Sequence, residues 1–277
     1  MKEKNPDQKT TIVYMCAGLS SRFGGKIKQF AQVGVNGETL IEVSMQQAKK
    51  AGFDEIIFIV GEKTEVPFKE KFGSLWNKIP VRYALQTFDS IKRDKPWGTC
   101  DALVTAKEVI TSPFAVCNGD DIYGEMAFKT VHDFLIKSNE NECIAIGYEL
   151  GRVLPNEGKT NRAIFSVDNN QYVTDLVETL EIEKSNLKEK NLDSKDLCSM
   201  NLFGLKESTL SLMQKNLEKF KETHKSDRRS ECYLPVELSN LIKSKKIKMK
   251  LIPTKEKWTG ITNPNDEERV REDLLKK

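Results

Sequence analysis

Two stretches hold residue types that can bind and neutralise phosphate. The first is CAGLSSRFGGKIKQF, residues 16–30, which follows the apolar run TIVYM at 11–15. Its glycines let backbone N–H groups approach an anion closely and form a nest. Arg22 and Lys28 add fixed positive charge. The spacing is neither Gly-x-x-x-x-Gly-Lys-Ser/Thr nor Gly-x-Gly-x-x-Gly, so the two common nucleotide loops are excluded. Two readings stand: a phosphate cradle and a plain strand-to-helix connection. The second stretch is Asn118-Gly119-Asp120-Asp121, after an apolar run at 114–117. Paired carboxylates at a strand end suit Mg²⁺, a hard cation that takes oxygen ligands and keeps several waters. The same four residue types also dominate turns. A third stretch, KPWGTCDAL at 95–103, sets Gly98 and Thr99 at a helix start. Thr99 reads as the N-cap. Gly98, without a side chain, lets a base or ribose lie against the backbone.

These stretches need elements to hold them. Apolar runs predict strands over 11–16, 55–60, 81–86 and 114–117. Amphipathic stretches predict helices over 39–52, 66–72, 99–110 and 127–136. The alternation implies a parallel sheet covered on both faces, with ligand-binding loops at the carboxyl ends of the strands. The rhythm changes after about residue 143. Strands are expected over 143–149, 163–167, 172–176, 200–205 and 247–252, and helices over 210–220, 234–242 and 264–275, the last capped by Asn263. The charge-rich tract 178–196 reads as an exposed excursion. The lysines alternating with Ile247, Met249 and Leu251 read as an edge strand kept soluble by charge. The simplest organisation is a nucleotide-binding half over about 10–140 and a substrate half over 141–277, in one unit.

Composition narrows the function further. Lys+Arg 44 against Asp+Glu 41 leaves +3, without the basic excess of a nucleic-acid binder. No apolar run reaches the ~20 residues of a membrane span. The polar start, MKEKNPDQK, lacks the apolar middle of a signal peptide, so a cytoplasmic location is expected. Six cysteines form no Cys-x-x-Cys pair, which speaks against disulfides and zinc. The two histidines, His132 and His224, fall in surface-helix patterns and offer no acid–base catalyst. Trp97 and Trp258 read as packing residues.

In order along the chain, AGLSSRFGGKIKQ, Gln86, PWGTCDAL, CNGDDIYG and WTGITNP resemble the motifs of the sugar nucleotidyltransferases, the nucleotide-sugar pyrophosphorylases. The resemblance spans roughly 11–275. It implies a Rossmann-like, three-layer α/β/α fold with a mixed, mostly parallel sheet of the nucleotide-diphospho-sugar transferase type. It implies that Ala17, Gly18, Leu19, Ser20 and Arg22 wrap a triphosphate and that Lys28 lies at its α-phosphate. Gln86, Gly98 and Thr99 would sit by the base. Asp120 would hold Mg²⁺, with Thr262 at the position of a second metal ligand. Gly119, Asp121, Glu178 and Asn201 would meet the sugar. Three positions depart from the pattern. Ser20 stands where many members have glycine, Ala163 likewise, and Thr262 replaces an Asp or Asn.

The implied reaction joins a nucleoside triphosphate, UTP by preference, to a sugar 1-phosphate and releases pyrophosphate. No nucleic acid or membrane partner is expected, and homo-oligomerisation is left open. Two alternatives stand. One is cytidylyl transfer to a non-sugar phosphate such as phosphocholine. The other is a non-catalytic nucleotide-sugar-binding protein.

Overall fold

The computed structural model describes residues 9–18, 27–261 and 266–275. Its centre is a ten-stranded sheet. The strands are β1 (Thr11–Cys16), β2 (Glu55–Gly61), β3 (Leu75–Trp76), β4 (Ile79–Gln86), β5 (Phe114–Asn118), β7 (Glu142–Glu149), β8 (Thr160–Val167), β9 (Val173–Ile182), β10 (Leu197–Leu205) and β11 (Lys248–Pro253). A separate two-stranded ribbon pairs β6 (Asp121–Ile122) with β12 (Thr259–Gly260). The order along the main path is β11-β7-β10-β5-β1-β2-β4-β3, and β8 and β9 branch from β10. β1 lies parallel to β2 and β5, and β2 parallel to β4. β10 runs antiparallel to β5 and β7.

The alternation of side chains along β1 sets the two layers. Ile12, Tyr14 and Cys16 face one core cluster, and Val13 faces the other. The first layer is closed by α1 (Leu40–Ala51), α2 (Glu65–Phe72), α4 (Glu125–Leu135) and α5 (Leu150–Val153). The second is closed by α3 (Thr99–Thr105), α6 (Glu207–Thr223) and α7 (Leu234–Lys243). A last helix, α8 (Asp266–Leu275), buries Val270 against Val33, Leu40, Ile122 and Ile261. The fold is thus the expected mixed, mostly parallel sheet between two helical layers. β11 is an edge strand, as its lysines imply.

Several local expectations need correction. α3 stops at Thr105 and not at residue 110. The Thr105 hydroxyl bonds back to Asp101 O at 2.9 Å, and three-residue turns replace the helical ladder beyond it. The N-cap of α3 is Gly98, at φ +96°, and not Thr99. Thr99 Oγ1 accepts the Leu234 N–H at 2.9 Å instead. The excursion expected over 178–196 begins only after Ile182, because β9 stays paired with β8 through Glu178 and ends at the buried Ile182. His132 is not a plain surface residue: its ring meets Phe53 edge-on at 5.4 Å. The cysteines at 16, 100, 117, 143, 198 and 232 are all buried free thiols. Asn263 and the start of the helix expected from 264 lie outside the described residues.

Candidate active site

Parallel pairing brings four strand ends to one edge of the sheet. Cys16 stands opposite Val60, Gly61 opposite Gln86, and Met15 opposite Asn118. The backbone packs tightly there. A Cβ on Gly61 would lie 2.7 Å from Ala17 O, so β2 needs glycine where the first loop crosses it. Gly119 donates its N–H to Met15 O at 3.1 Å. A Cβ on it would run into Cys16 Sγ and lie 3.2 Å from Met15 O. Gly119 therefore lets the Asp120 turn lie flat on the end of β1. Gly18 has open space where a Cβ would be. Leu19, Ser20 and Arg22, and Thr262 at the far end, lie outside the described residues.

Lys28 begins a short 3₁₀ turn, Lys28–Phe30. Its ammonium forms an ion pair with the Asp120 carboxylate, and the two side chains are 19% and 21% exposed. Asp121 differs from its neighbour. It is buried, and its Oδ2 accepts from Asn118 Nδ2 at 2.8 Å and faces the Tyr123 hydroxyl at 3.2 Å. Burial, reinforced by the Asp120 charge, pushes the Asp121 carboxyl up to about 7. The Trp258 indole lies beside the same carboxyl and pulls slightly the other way, although its N–H is outside hydrogen-bonding geometry.

Tyr123 ties this turn to β10. Its hydroxyl accepts the Asn118 N–H at 3.0 Å and lies 2.7 Å from Met200 O, nearer than to Asp121. β10 is irregular between Ser199 and Phe203, and Asn201 sits there at φ +63°. Its Nδ2 donates to Asn118 Oδ1 at 3.2 Å. A left-handed asparagine in a bulge is a device for re-aiming a side chain. Lys28, Asn118, Gly119, Asp120, Asp121 and Asn201 thus form one connected group.

Gln86 and Gly98 form a second group. Gln86 Nε2 donates to Asp101 Oδ2 at 2.7 Å and to Gly98 O at 3.3 Å. Asp101 in turn pairs with Lys221 Nζ at 2.5 Å. A Cβ on Gly98 would lie 2.7 Å from Cys232 O, so the close approach here is to the protein's own backbone. Glu178 stands apart on β9, opposite Ala163. It is half-buried; burial raises its pKa, and the charge of Arg162 pulls it back.

Sequence reasoning named Asn118 within its second stretch without giving it a role, and passed over Tyr123, Arg162 and Gly61. Asn118 and Tyr123 lie inside the quoted CNGDDIYG, so proximity was the available signal. Nothing in the sequence marks Arg162 as half-buried beside Glu178, nor Gly61 as a contact of the first loop.

As to a metal, Asp120 offers one partly exposed carboxylate at a strand end and already carries a cation, the Lys28 ammonium. One carboxylate fits Mg²⁺ where substrate phosphates and waters supply the other oxygens. Among the described residues no three or more of His, Cys, Asp and Glu cluster to hold a metal by themselves. A cation here would therefore share its ligands with a phosphate substrate.

Solved structures of this architecture align over nearly the whole chain. The inositol-1-phosphate CTP transferase of T. maritima matches with a TM-score of 0.68 at 15% identity, covering 97% of this chain and 96% of that one. A UDP-glucose pyrophosphorylase complexed with UDP-glucose matches with a TM-score of 0.67 at 16% identity, covering 97% and 99%. HddC from Yersinia pseudotuberculosis, complexed with GMP-PN, matches with a TM-score of 0.59 at 17% identity, covering 96% and 100%. At such identities the likeness establishes the fold. No curated protein matches the chain by sequence. The family model described as nucleotidyl transferase matches residues 26–266, from just before Lys28 to the start of α8. With most of its length inside that match, the chain belongs to the nucleotidyl transferase family.

Proposed function

We propose that this nucleotidyltransferase joins a nucleoside triphosphate, UTP by preference, to a sugar 1-phosphate, giving a nucleoside diphosphate sugar and pyrophosphate, with Mg²⁺ as cofactor. The observation that carries the reading is the Lys28–Asp120 pair at the carboxyl edge of the sheet, beside Asn118 and Asn201. A cation and a carboxylate at one point are what a phosphoryl centre needs.

In this reading an oxygen of the sugar phosphate attacks the α-phosphorus. A new P–O bond forms, and the bond from the α-phosphorus to the bridging oxygen breaks. Pyrophosphate departs with the electron pair. The attacking phosphate, with a second pKa of about 6, is already mostly dianionic at neutral pH. No general base is required, and neither histidine lies at the site: His132 packs on Phe53 and His224 on Phe220. Mg²⁺, when bound, neutralises phosphate oxygens. Asp120 orients that charge, and Lys28, released from Asp120, turns to the α-phosphate. Arg22 holds the departing pyrophosphate. Gln86 and Gly98 bound the base, with Thr99 fixing the adjacent helix. Asn201 and Glu178 bracket the sugar, and Gly119 and Asp121 shape the turn beneath it. Thr262 is assigned the second metal position from its place in WTGITNP alone. A triphosphate substrate suits the cytoplasm.

UTP is favoured by analogy with the resembling group, and the similar structures handle several nucleotides. Cytidylyl transfer to a phosphorylated polyol is the second reading, favoured by the likeness to the inositol-1-phosphate CTP transferase. Pyrophosphate release tests both. UTP, CTP, dTTP, ATP and GTP are each paired with a panel of sugar 1-phosphates, inositol 1-phosphate and phosphocholine. We expect turnover with one nucleotide and a sugar 1-phosphate, abolished by EDTA and restored by Mg²⁺. Turnover only with CTP and a non-sugar acceptor would select the second reading. Nucleotide binding with no turnover across the panel would overturn both.

A further inference from the structure

Tyr233 ends the loop before α7 and is 41% exposed. A single exposed aromatic is ordinary. This one is held in place from three sides.

The residues around it are sewn to the Gly98 segment. Cys232 N donates to Trp97 O at 2.7 Å, and Cys100 N donates to Cys232 O at 3.0 Å. Leu234 N donates to Thr99 Oγ1 at 2.9 Å. Gly98 is pressed so close to Cys232 that no side chain fits between them. The ring tip is fixed as well. The Tyr233 hydroxyl donates to Glu231 Oε2 at 2.9 Å, and Glu231 pairs with Lys95 Nζ at 3.0 Å.

The third constraint comes from β9. Ser239 Oγ donates to Asp175 Oδ1 at 2.6 Å, and Lys243 pairs with the same carboxylate at 2.7 Å. From Asp175 to Glu178 the strand advances about 10 Å. From Ser239 back to Tyr233 the helix recedes about 9 Å. α7 runs against β9, because the chain that follows it brings Lys250 back to Tyr172, just before β9 starts, so Tyr233 and Glu178 stand at about the same level. The electrostatics agree: the Tyr233 phenol is pushed up to about 12, first by burial and then by Glu231, with the Glu178 charge contributing.

We infer that Tyr233 is an acceptor-specificity residue: its immobilised ring forms the wall between Gly98 and Glu178 against which the ring of the acceptor sugar packs. This rests on the reading of the function given above. The chemistry selects a cyclic, polyhydroxylated acceptor. Its apolar C–H face lies on the phenol ring, and its hydroxyls reach the Glu178 carboxylate. A ring already fixed in place loses little freedom on binding, so the contact is efficient.

The test is steady-state kinetics on the full chain with the sugar 1-phosphate that the wild type turns over. Tyr233→Ala should raise the acceptor KM about tenfold, the scale of one lost aromatic packing contact. The nucleotide KM should stay within about twofold of wild type. Tyr233→Phe should rescue most of the acceptor KM, which separates ring packing from the hydroxyl. A Tyr233→Ala protein with an unchanged acceptor KM overturns the inference, and so does an equal rise in both KM values. Thermal denaturation checks that the variants fold; if Tyr233→Ala does not, Tyr233→Leu takes its place, with the same expectation. A wild type that turns over no cyclic acceptor overturns the functional reading and this inference with it. An active wild type with an insensitive variant overturns the inference alone.

Discussion

In the free protein Lys28 and Asp120 neutralise each other at the sheet edge. On the function proposed above, the pair is a resting state: a phosphate substrate with its cation would offer each residue a stronger partner of opposite charge. If so, truncating either should act on rate more than on stability, since a part-exposed ion pair contributes at most about 1 kcal/mol to folding. Lys28→Ala and Asp120→Asn should each lower turnover about 10²–10³-fold, the scale of one lost preorganised charge contact. Both melting temperatures should stay close to that of wild type. Pyrophosphate release and thermal denaturation measured together decide it; full activity in either variant would sink the assignment. Gly119 is the companion case. Gly119→Ala keeps every functional group but drives a methyl into Cys16 Sγ and Met15 O. The turn must lift, and Asp120 lifts with it. We expect at least a tenfold fall in turnover, and a variant equal to wild type would show that the turn is free to move. The residue types were legible from the sequence because Asp, Lys and Gly carry their chemistry in their names. Their division of labour came only with the resemblance, which set Asp120 at the metal and Asp121 at the sugar, and not from the residue types themselves. Asp120 and Asp121 read as a matched pair, yet one carboxyl faces its ammonium partner and the other is turned in to Asn118, a difference set by β6 pairing with Gly260.

At the level of elements, strands were easier to read than their irregularities. The run at 200–205 is apolar and forms β10, but nothing in Met-Asn-Leu-Phe announces a left-handed Asn201 or the shift of register around it. The bulge is a property of three strands meeting, with β8 pairing before it and β5 after it. Lys206 is another element-level surprise. It follows the last residue of β10 and looks like a helix-start surface lysine, yet it is only 2% exposed. Its Nζ donates to Leu135 O at 2.9 Å and to Ser138 O at 3.1 Å. It thus satisfies carbonyls left open where α4 ends. Lys206→Met keeps the stem and removes the donor, so Ser138 O loses its partner and Leu135 O keeps only the Ser138 hydroxyl at 3.5 Å. The cost should be about 1–3 kcal/mol, or roughly 2–10 °C in Tm, with turnover unaffected. Burial lowers the Lys206 pKa, so the native protein releases this proton before the unfolded chain does. Wild-type stability therefore gains as pH rises through the folded pKa toward the ordinary lysine value. The gap between wild type and variant should widen from neutral to alkaline pH. Denaturant melts at both conditions measure it, and a gap that narrows would contradict the assignment.

For the whole molecule, the sequence rhythm suggested two halves meeting near residue 140, and the sheet bears on how separate they are. β7 begins the second half but does not pair with β5, its predecessor in the sheet of the first half. β10 is inserted between them, antiparallel to both. That insertion could not be read from the strand sequences, because an apolar strand buried on both faces looks alike in either direction. The joint itself is short: Phe203 opposite Val116, Gly204 opposite Ala115 and Leu205 opposite Phe114. It is reinforced away from the sheet. Arg93, from the first half, stacks its guanidinium 3.2 Å from the Trp97 ring centre and donates to Asp227 O at 2.9 Å and Ser230 O at 2.5 Å in the second. Each helical layer also spans the boundary: Leu103 and Leu217 share one core cluster, and Phe58 and Tyr148 share the other. Neither half can leave without exposing both clusters. We therefore expect one unfolding transition in urea, with tryptophan fluorescence and far-UV circular dichroism superimposed. Trp76 and Trp97 lie in the first half and Trp258 in the second, so a half that melted alone would separate the two signals. Arg93→Ala should lower the midpoint while keeping the transition single, because it removes the clamp and leaves the shared cores. Two resolved transitions in the wild type would mean that the β5–β10 joint is a hinge between independent units, and the site at its edge would then be assembled by their docking.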